Sequence, residues 1–362
     1  MNTPGYREPW DIAIRADGNS FLGMGHIVRC LSIALALREL GLTVGFMCAD
    51  QQAVDHISAK GFDVVVFETS FDDLVNAEAE LKVLSERKAK LVIVDSRYAT
   101  PGYFDRLGQS VLTCQITPSL ETAAHTDILI NYSGYLGEQY YSQVDITDKM
   151  CLFGMSYAPF GIDYWKGSRR PISEKVERIL ITVGSTDPLS VVPRVLEVID
   201  ATGKYAHAIK DVVVGRFAKL PDSLLAEWDN RSDVNLHIAP NSLLELEQVC
   251  DLAVCAAGTT IYELLAFGVP VICCAIVDDQ LRVSELDGVV SWCGDIRGDE
   301  PGRVNAGTMA RLSAALERLF DYPERKELAE VSASMIDFSG ARRIAERLHS
   351  QIFQLAKENE GE

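Results

Sequence analysis

No two cysteines of this 362-residue chain have C-x-x-C spacing. Nine are present, scattered singly apart from Cys273-Cys274, and most lie in apolar runs. That odd, dispersed set does not describe a disulfide framework; it reads as reduced, buried thiols. Histidine is scarce as well. The six (His26, His56, His125, His207, His237 and His349) form no H-x-H or H-E-x-x-H pattern, so no dedicated metal site is expected. An unbroken apolar span is also missing. The longest stretch, Leu252 to Val277, is punctuated by Gly258, Thr259, Thr260, Glu263, Gly268 and Pro270. A membrane-spanning helix needs about 20 mostly apolar residues. The opening residues MNTPGYREPWD lack an apolar h-region. No signal peptide is expected, and the chain is assigned to the cytoplasm. Basic charge is in deficit: 34 Lys+Arg against 52 Asp+Glu leave a net charge of −18. Such a surface repels phosphate backbones, which argues against nucleic acid and anionic membranes as partners. An anionic small molecule would be held by backbone dipoles and a few placed cations.

What is present is ample core material, with 48% hydrophobic residues, which excludes a disordered chain. The length suggests two domains at roughly 150 residues each. Near-continuous apolar runs alternate with helical patterns. Asp11–Arg15, Thr43–Cys48, Asp63–Phe67 and Leu91–Asp95 read as strands, continued less clearly by Val111–Ile116 and Ile128–Asn131. His26–Leu40, Gln51–Lys60 and Phe71–Lys88 read as the helices between them. Gly41 stands where a helix-terminating glycine would. A second alternation begins at Arg178 and runs through Ile179–Val183, Ile209–Val214, Val234–Ile238, Leu252–Cys255 and Val269–Cys274. Apolar strands separated by helices mark a parallel sheet covered on both faces. The intervening Gly161–Pro171 is polar and aperiodic, a linker composition.

The predicted organisation is an N-terminal Rossmann-like domain over 1–163, a linker over 164–175 and a second Rossmann-like domain over 176–340. A helix over 341–362 packs back on the first domain. The fold class is α/β, two doubly wound domains facing a central cleft, with ligands at the carboxyl ends of the strands.

Five segments carry chemistry in this frame. Arg15-Ala-Asp17, followed by a glycine loop with Gly23 and Gly25, leads into a helix at His26. Helix N-terminal amides favour negative charge and a neutral imidazole, the state suited to a general base; a His that merely caps the turn is the alternative. The loop is not a dinucleotide fingerprint, because Val28 occupies the place of the third glycine. Asp95-Ser-Arg-Tyr98 bunches polar groups at a strand end, as a site lining or as an ordinary turn. Thr182-Val-Gly184-Ser185-Thr-Asp187 combines glycine with hydroxyls, a composition that cradles anions; Asp187 could equally cap a helix. Ala256-Ala-Gly258-Thr259-Thr260 opens a helix whose amides could hold a diphosphate without lysine. Glu263, one turn in, could accept from sugar hydroxyls or complete a capping box with Thr260. Asp278-Asp279-Gln280 follows the last apolar strand of this half, as a site lining or a solvated loop.

The first of these segments, continued through Arg29-Cys30-Leu31, resembles the R-A-D-x5-G-x-G-H-x2-R-C-L start of the nucleotide-sugar hydrolases of pseudaminic acid biosynthesis (PseG, with SpsG-like relatives). Echoes follow in order at Asp95–Tyr98, Leu129–Asn131, Gly154 with Tyr157-Ala158, Gly184–Pro188, Val212–Gly215, Ala257–Glu263, Gly268-x-Pro270 and Gln280. The resemblance implies a GT-B-type architecture akin to MurG-like glycosyltransferases. It implies hydrolysis of a UDP-linked 2,4-diacetamido-2,4,6-trideoxyhexose, of the β-L-altropyranose type, to UDP and free sugar. His26 would be the base, with Asp17 and Asp95 orienting sugar or water. Arg15 or Arg29 would balance phosphate charge. Gly25, Tyr98, Gly184, Ser185, Asp187, Gly258, Thr259, Thr260, Glu263, Asp279 and Gln280 would bind substrate. No metal and no other cofactor is implied; the partner is the UDP-sugar and the chain is expected to be a monomer. Three departures stand out: Gly184-Ser-Thr-Asp-Pro188 for Gly-Gly-Ser-Asp-Pro, Ala257-Gly-Thr-Thr260 for Gly-Gly-Ser-Thr, and Asp279-Gln280 for Asn-Gln. Thr117-Pro118 also replaces an Asp-Asp-type element. A GT-B glycosyltransferase using a UDP-sugar, or a non-catalytic nucleotide-sugar binder, are the alternatives.

Overall fold

A computed structural model describes residues 8–19, 24–67, 77–135, 137–300 and 302–360. The chain divides into two compact units. Unit 1 comprises Met1–Trp165 and Phe338–Glu362, and unit 2 comprises Lys166–Asp337.

Unit 1 is built on seven parallel strands: β1 (Ile12–Ala16), β2 (Val44–Cys48), β3 (Asp63–Val66), β4 (Leu91–Asp95), β5 (Leu112–Ile116), β6 (Ile128–Asn131) and β7 (Met150–Phe153). Their order is β3-β2-β1-β4-β5-β6-β7. β1, β2 and β4 are buried along their whole length, which is why they are apolar at successive positions rather than alternating. The helix Gly25–Glu39 lies on one face and buries every residue from Cys30 to Leu37. It is covered by sheet on one side and by the helix Gly340–Glu360 on the other. The latter contributes buried Ile344, Ala345, Leu348 and Ile352. The opposite sheet face is closed by Trp10, Val83, Leu84, Tyr103, Phe104 and Leu107.

Unit 2 has six parallel strands: β8 (Arg178–Thr182), β9 (Ile209–Val214), β10 (Val234–Ile238), β11 (Leu252–Ala256), β12 (Val271–Ala275) and β13 (Ser291–Asp295), ordered β10-β9-β8-β11-β12-β13. The segment after Lys166 is tied to this unit. Arg325, fully buried, donates to the carbonyls of Ser173 (2.9 Å) and Glu174 (2.8 Å). Ser173 Oγ donates to Asp251 at 2.9 Å.

Each unit is therefore doubly wound. The strand order reverses between β1 and β4 in unit 1, and between β8 and β11 in unit 2. Such switch points open a crevice at the carboxyl ends of the two strands, where ligands bind in open α/β sheets.

Three differences from the sequence reading have simple causes. β7 and β13 were not foreseen. Both are edge strands with little sequence signal: β7 spans only the four residues Met150–Phe153, and β13 carries Gly294 and polar ends. The helix predicted over 71–88 is observed as Glu78–Arg87; residues 71–76 lie outside the described residues, as does Gly23. Gly41 does end its helix, at φ +85°.

Candidate functional site

The switch point of unit 1 holds a charged cluster. Ala16 and Asp95 are register partners across β1 and β4. The β1 exit and the β4 end are thus neighbours, and the helix Gly25–Glu39 starts above them. Its first turn presents His26 and Arg29. His26 Nδ1 lies 2.9 Å from Asp95 Oδ1. Arg29 grips the same carboxylate with two donors, Nε to Oδ2 at 2.6 Å and Nη2 to Oδ1 at 2.5 Å. Its third donor, Nη1, reaches Tyr132 Oη at 3.0 Å. The Cys30 thiol approaches Asp95 Oδ2 at 3.5 Å. Asp95 is only 2% exposed. Burial opposes its charge, but Arg29 and the His26 contact outweigh burial and hold it well below the usual carboxylate range. Burial likewise pushes the Cys30 thiol well up, so it stays protonated.

The structure places the charged residues of this motif as follows. Asp95 lies behind His26, and both of its oxygens are engaged by His26 and Arg29. Arg29 bonds to Asp95 and Tyr132, not to a group at the surface. Arg15 is fully buried. It pairs with Asp17 and, through Nε at 3.2 Å, with Glu80 inside the fold. Asp17 is buried as well and accepts the Ala49 N–H at 2.7 Å. It ties the β1 exit to the β2 exit and does not face solvent. Tyr98 is half-buried just beyond β4, its N–H donating to Ser96 Oγ at 3.1 Å.

The switch point of unit 2 holds a pocket of about 260 Å³. Three loops line it: 182–186 after β8, Ala256 with 258–260 after β11, and Ile276, Val277 and Gln280 after β12. Gly184, Ser185, Gly258, Thr259, Thr260 and Gln280 come together here. No side chain of this lining is charged. Gly184 has φ +95°, a conformation that side chains resist. Gly215, just past β9, packs against it so closely that a Cβ there would lie 2.2 Å from the Gly184 carbonyl oxygen. The helix Thr260–Phe267 starts at this pocket and has no side-chain cap; the Ile261 and Tyr262 N–H groups donate to the carbonyls of Gly258 (3.3 Å) and Thr259 (3.0 Å). Gln280 Oε1 accepts the Ile276 N–H at 2.9 Å. That bond fixes the amide, and its Nε2 is left as the donor facing Gly258, 3.6 Å from where a Cβ would stand.

The remaining expected ligands fall elsewhere. Asp187 is buried and accepts from the N–H groups of Val191 (2.7 Å) and Val192 (3.0 Å). It caps the helix Val191–Thr202 and does not touch the pocket. Asp279 is exposed and outside the lining. Glu263 is half-buried one turn into its helix, also outside the lining. The N-cap position of this helix is Thr259, and Thr260 is its first residue.

Sequence reasoning missed Tyr132, which no motif spacing marks. It also passed over Phe217 and Ile238, which are 57% and 61% exposed at the carboxyl ends of β9 and β10. The Phe217 N–H donates to the Ser185 carbonyl at 2.8 Å, so Phe217 adjoins the pocket loop. A large apolar side chain left exposed there was the available signal.

No protein-family model matches the chain. An uncharacterized protein of Methanocaldococcus jannaschii is 24% identical over 275 residues, covering 72% of this chain and 54% of that protein. The chain thus matches about half the length of that relative. The spore coat polysaccharide biosynthesis protein SpsG of Bacillus subtilis is 22% identical over 366 residues, covering 92% and 96% of the two chains. Among solved structures, the glycotransferase of kitacinnamycin superposes with a TM-score of 0.65 at 18% identity, covering 95% of this chain and 99% of that one. MurG of Acinetobacter baumannii gives 0.64 at 12%, covering 94% and 99%. A UDP-N-acetylglucosamine 2-epimerase gives 0.58 at 14%, covering 94% and 96%. The fold is GT-B: two Rossmann-like domains with parallel sheets. No helix among the described residues is long and apolar enough to cross a membrane.

Proposed function

We propose that the chain is a UDP-sugar hydrolase acting on a 2,4-diacetamido-2,4,6-trideoxyhexose. The diphosphate lies in the unit 2 pocket on the amides of the 182–186 loop and of the Thr260 helix start. The nucleobase rests on the Phe217–Ile238 rim. His26 Nε2 takes a proton from water while the water oxygen attacks the anomeric carbon. The bond from that carbon to the phosphate oxygen breaks, and UDP leaves with the bonding electrons. Attack on the face opposite UDP inverts the anomeric centre. Asp95 holds the imidazole for this step by accepting its Nδ1–H.

The observation that carries the reading is the His26–Asp95 pair at a switch point. A buried carboxylate behind a part-exposed imidazole is a base in waiting. The uncharged pocket supports it, because fixed amides and hydroxyls suit a departing diphosphate in an acidic protein. Likeness to SpsG, named for spore coat polysaccharide biosynthesis, supports a role in carbohydrate metabolism.

The test is incubation with UDP-2,4-diacetamido-2,4,6-trideoxy-β-L-altrose in ¹⁸O-water, followed by NMR and mass spectrometry. UDP and free sugar should appear, with the label in the sugar. Label in UDP would mean attack at phosphorus and would overturn the mechanism. UDP release only when an alcohol acceptor is added would make the protein a glycosyltransferase.

A further inference from the structure

Arg29 touches both members of the His26–Asp95 pair. It binds both oxygens of Asp95, and its Nη2 also lies 2.8 Å from His26 Nδ1. A guanidinium can only donate. The contact with Nδ1 is therefore a hydrogen bond only if that nitrogen is bare. If Nδ1 carries the ring proton, the proton goes to Asp95 and the guanidinium is simply a neighbouring positive charge. A base needs the second arrangement, because Nε2 must then hold the free lone pair.

A lone buried carboxylate beside an imidazole does two things at once. It orients the ring, and it stabilises the imidazolium. The second effect works against a base, since a ring that is already protonated accepts nothing. Here the two effects are separable. Asp95 is bridged by a cation through two short bonds, so the pair presents almost no net charge to His26. The groups facing the imidazole are Asp95 from β4, Arg29 and Cys30 from its own helix, and Tyr132 beyond β6, which accepts from Arg29 Nη1. Cys30 and Tyr132 are neutral, and burial raises the pKa of both groups. Arg29 is the cation of this group.

We propose that Arg29 is a positioning residue that neutralises Asp95, so that the carboxylate aligns His26 without converting it to imidazolium. Tyr132 holds the guanidinium in place for that purpose. This rests on the reading of His26 as the base of the proposed hydrolysis. It goes beyond it by giving Arg29 a role through Asp95 instead of on the phosphates.

The experiment replaces Arg29 with Met and with Lys in the full chain. Two readouts are taken: kcat/KM from pH 5.5 to 9, and the ring nitrogens of His26 by ¹⁵N NMR across the same range. In Arg29→Met the uncompensated Asp95 favours the protonated ring. The acidic limb should move to higher pH, so that activity at pH 6 falls about tenfold more than activity at pH 8.5. Arg29→Lys restores the charge and should bring the limb back toward wild type. Equal loss at every pH would reduce Arg29 to a structural part, and a raised KM with an unmoved limb would make it a substrate ligand; either overturns the proposal. So would a wild-type NMR spectrum with the ring proton on Nε2. The NMR titration needs no turnover. If no UDP-sugar is hydrolysed, the function falls while the charge relationship among the three residues is still decided.

Discussion

His26 and Asp95 are 69 residues apart in the chain, yet Nδ1 of one lies 2.9 Å from Oδ1 of the other. They meet because the winding of unit 1 reverses between β1 and β4. A residue that begins the helix after β1 is thereby set over the last residue of β4.

If that pair is the base and its orienter, each should be tested alone. His26→Ala should lower kcat by about 10²–10⁴-fold and leave UDP affinity unchanged, because the pocket belongs to unit 2. Asp95→Asn should lower kcat by about a hundredfold or more with little change in KM. Stopped turnover assays and UDP calorimetry on the same samples provide the check. Weakened UDP binding in His26→Ala would place the histidine at the nucleotide instead.

The pocket makes a separate prediction. Gly258→Asp adds a carboxylate to a lining that has no charge, and its Cβ meets only Gln280 Nε2 at 3.6 Å. The fold should tolerate it while UDP binding is lost by tenfold or more, about 1.4 kcal/mol. Gly215→Ala should weaken both. Its Cβ would strike the Gly184 carbonyl at 2.2 Å, costing about 1–3 kcal/mol of stability. Thermal unfolding with and without UDP separates the two outcomes. Unchanged UDP affinity in Gly258→Asp would move the diphosphate elsewhere.

Asp187 should behave as a structural residue. Asp187→Ala removes the acceptor for two helix amides, a loss of about 0.5–2 kcal/mol for a capping side chain. Urea unfolding should show that loss, and kcat and KM should stay near wild type. A selective rise in KM at unchanged stability would restore Asp187 as a ligand.

Acid should act through Asp95. Its carboxyl is held below the ordinary value in the folded state, so its contribution is complete above about pH 4. It is lost as the pH falls from there through the depressed folded value. Urea midpoints measured from pH 6 down to 3 should fall more steeply for wild type than for Asp95→Asn, which starts lower. Parallel curves for the two proteins would show that Asp95 is not titrating in this window.

The strands and helices were largely legible because apolar runs and glycine punctuation are local signals. Gly41 marks a helix end by itself. The edge strands β7 and β13 were not: β7 is a run of only four residues, Met150–Phe153, and β13 (Ser291–Asp295) is broken by Gly294 and polar ends. In the site, the glycine and hydroxyl loops declared themselves by composition, and the structure gathers both into one pocket. The charged residues did not declare their partners. Arg15 is in a motif that suggests phosphate, but Glu80, 65 residues on, holds it in the interior. Arg29 is likewise claimed by Asp95, 66 residues away. Local spacing identifies which side chains matter; it does not reveal whether a charge is spent inside the fold or offered to a ligand.

The helix Gly340–Glu360 belongs to unit 1, although the whole of unit 2 is encoded before it. During synthesis the first sheet emerges early but waits for its last covering helix. Unit 2 is continuous in the chain and can close while unit 1 is still unfinished. At roughly 5–20 residues per second, the exposed face of the helix Gly25–Glu39 is open to the cell for many seconds. The ribosome-bound chain is thus the form most in need of a chaperone, and a truncation that removes the final helix would leave the histidine-bearing helix without its outer cover.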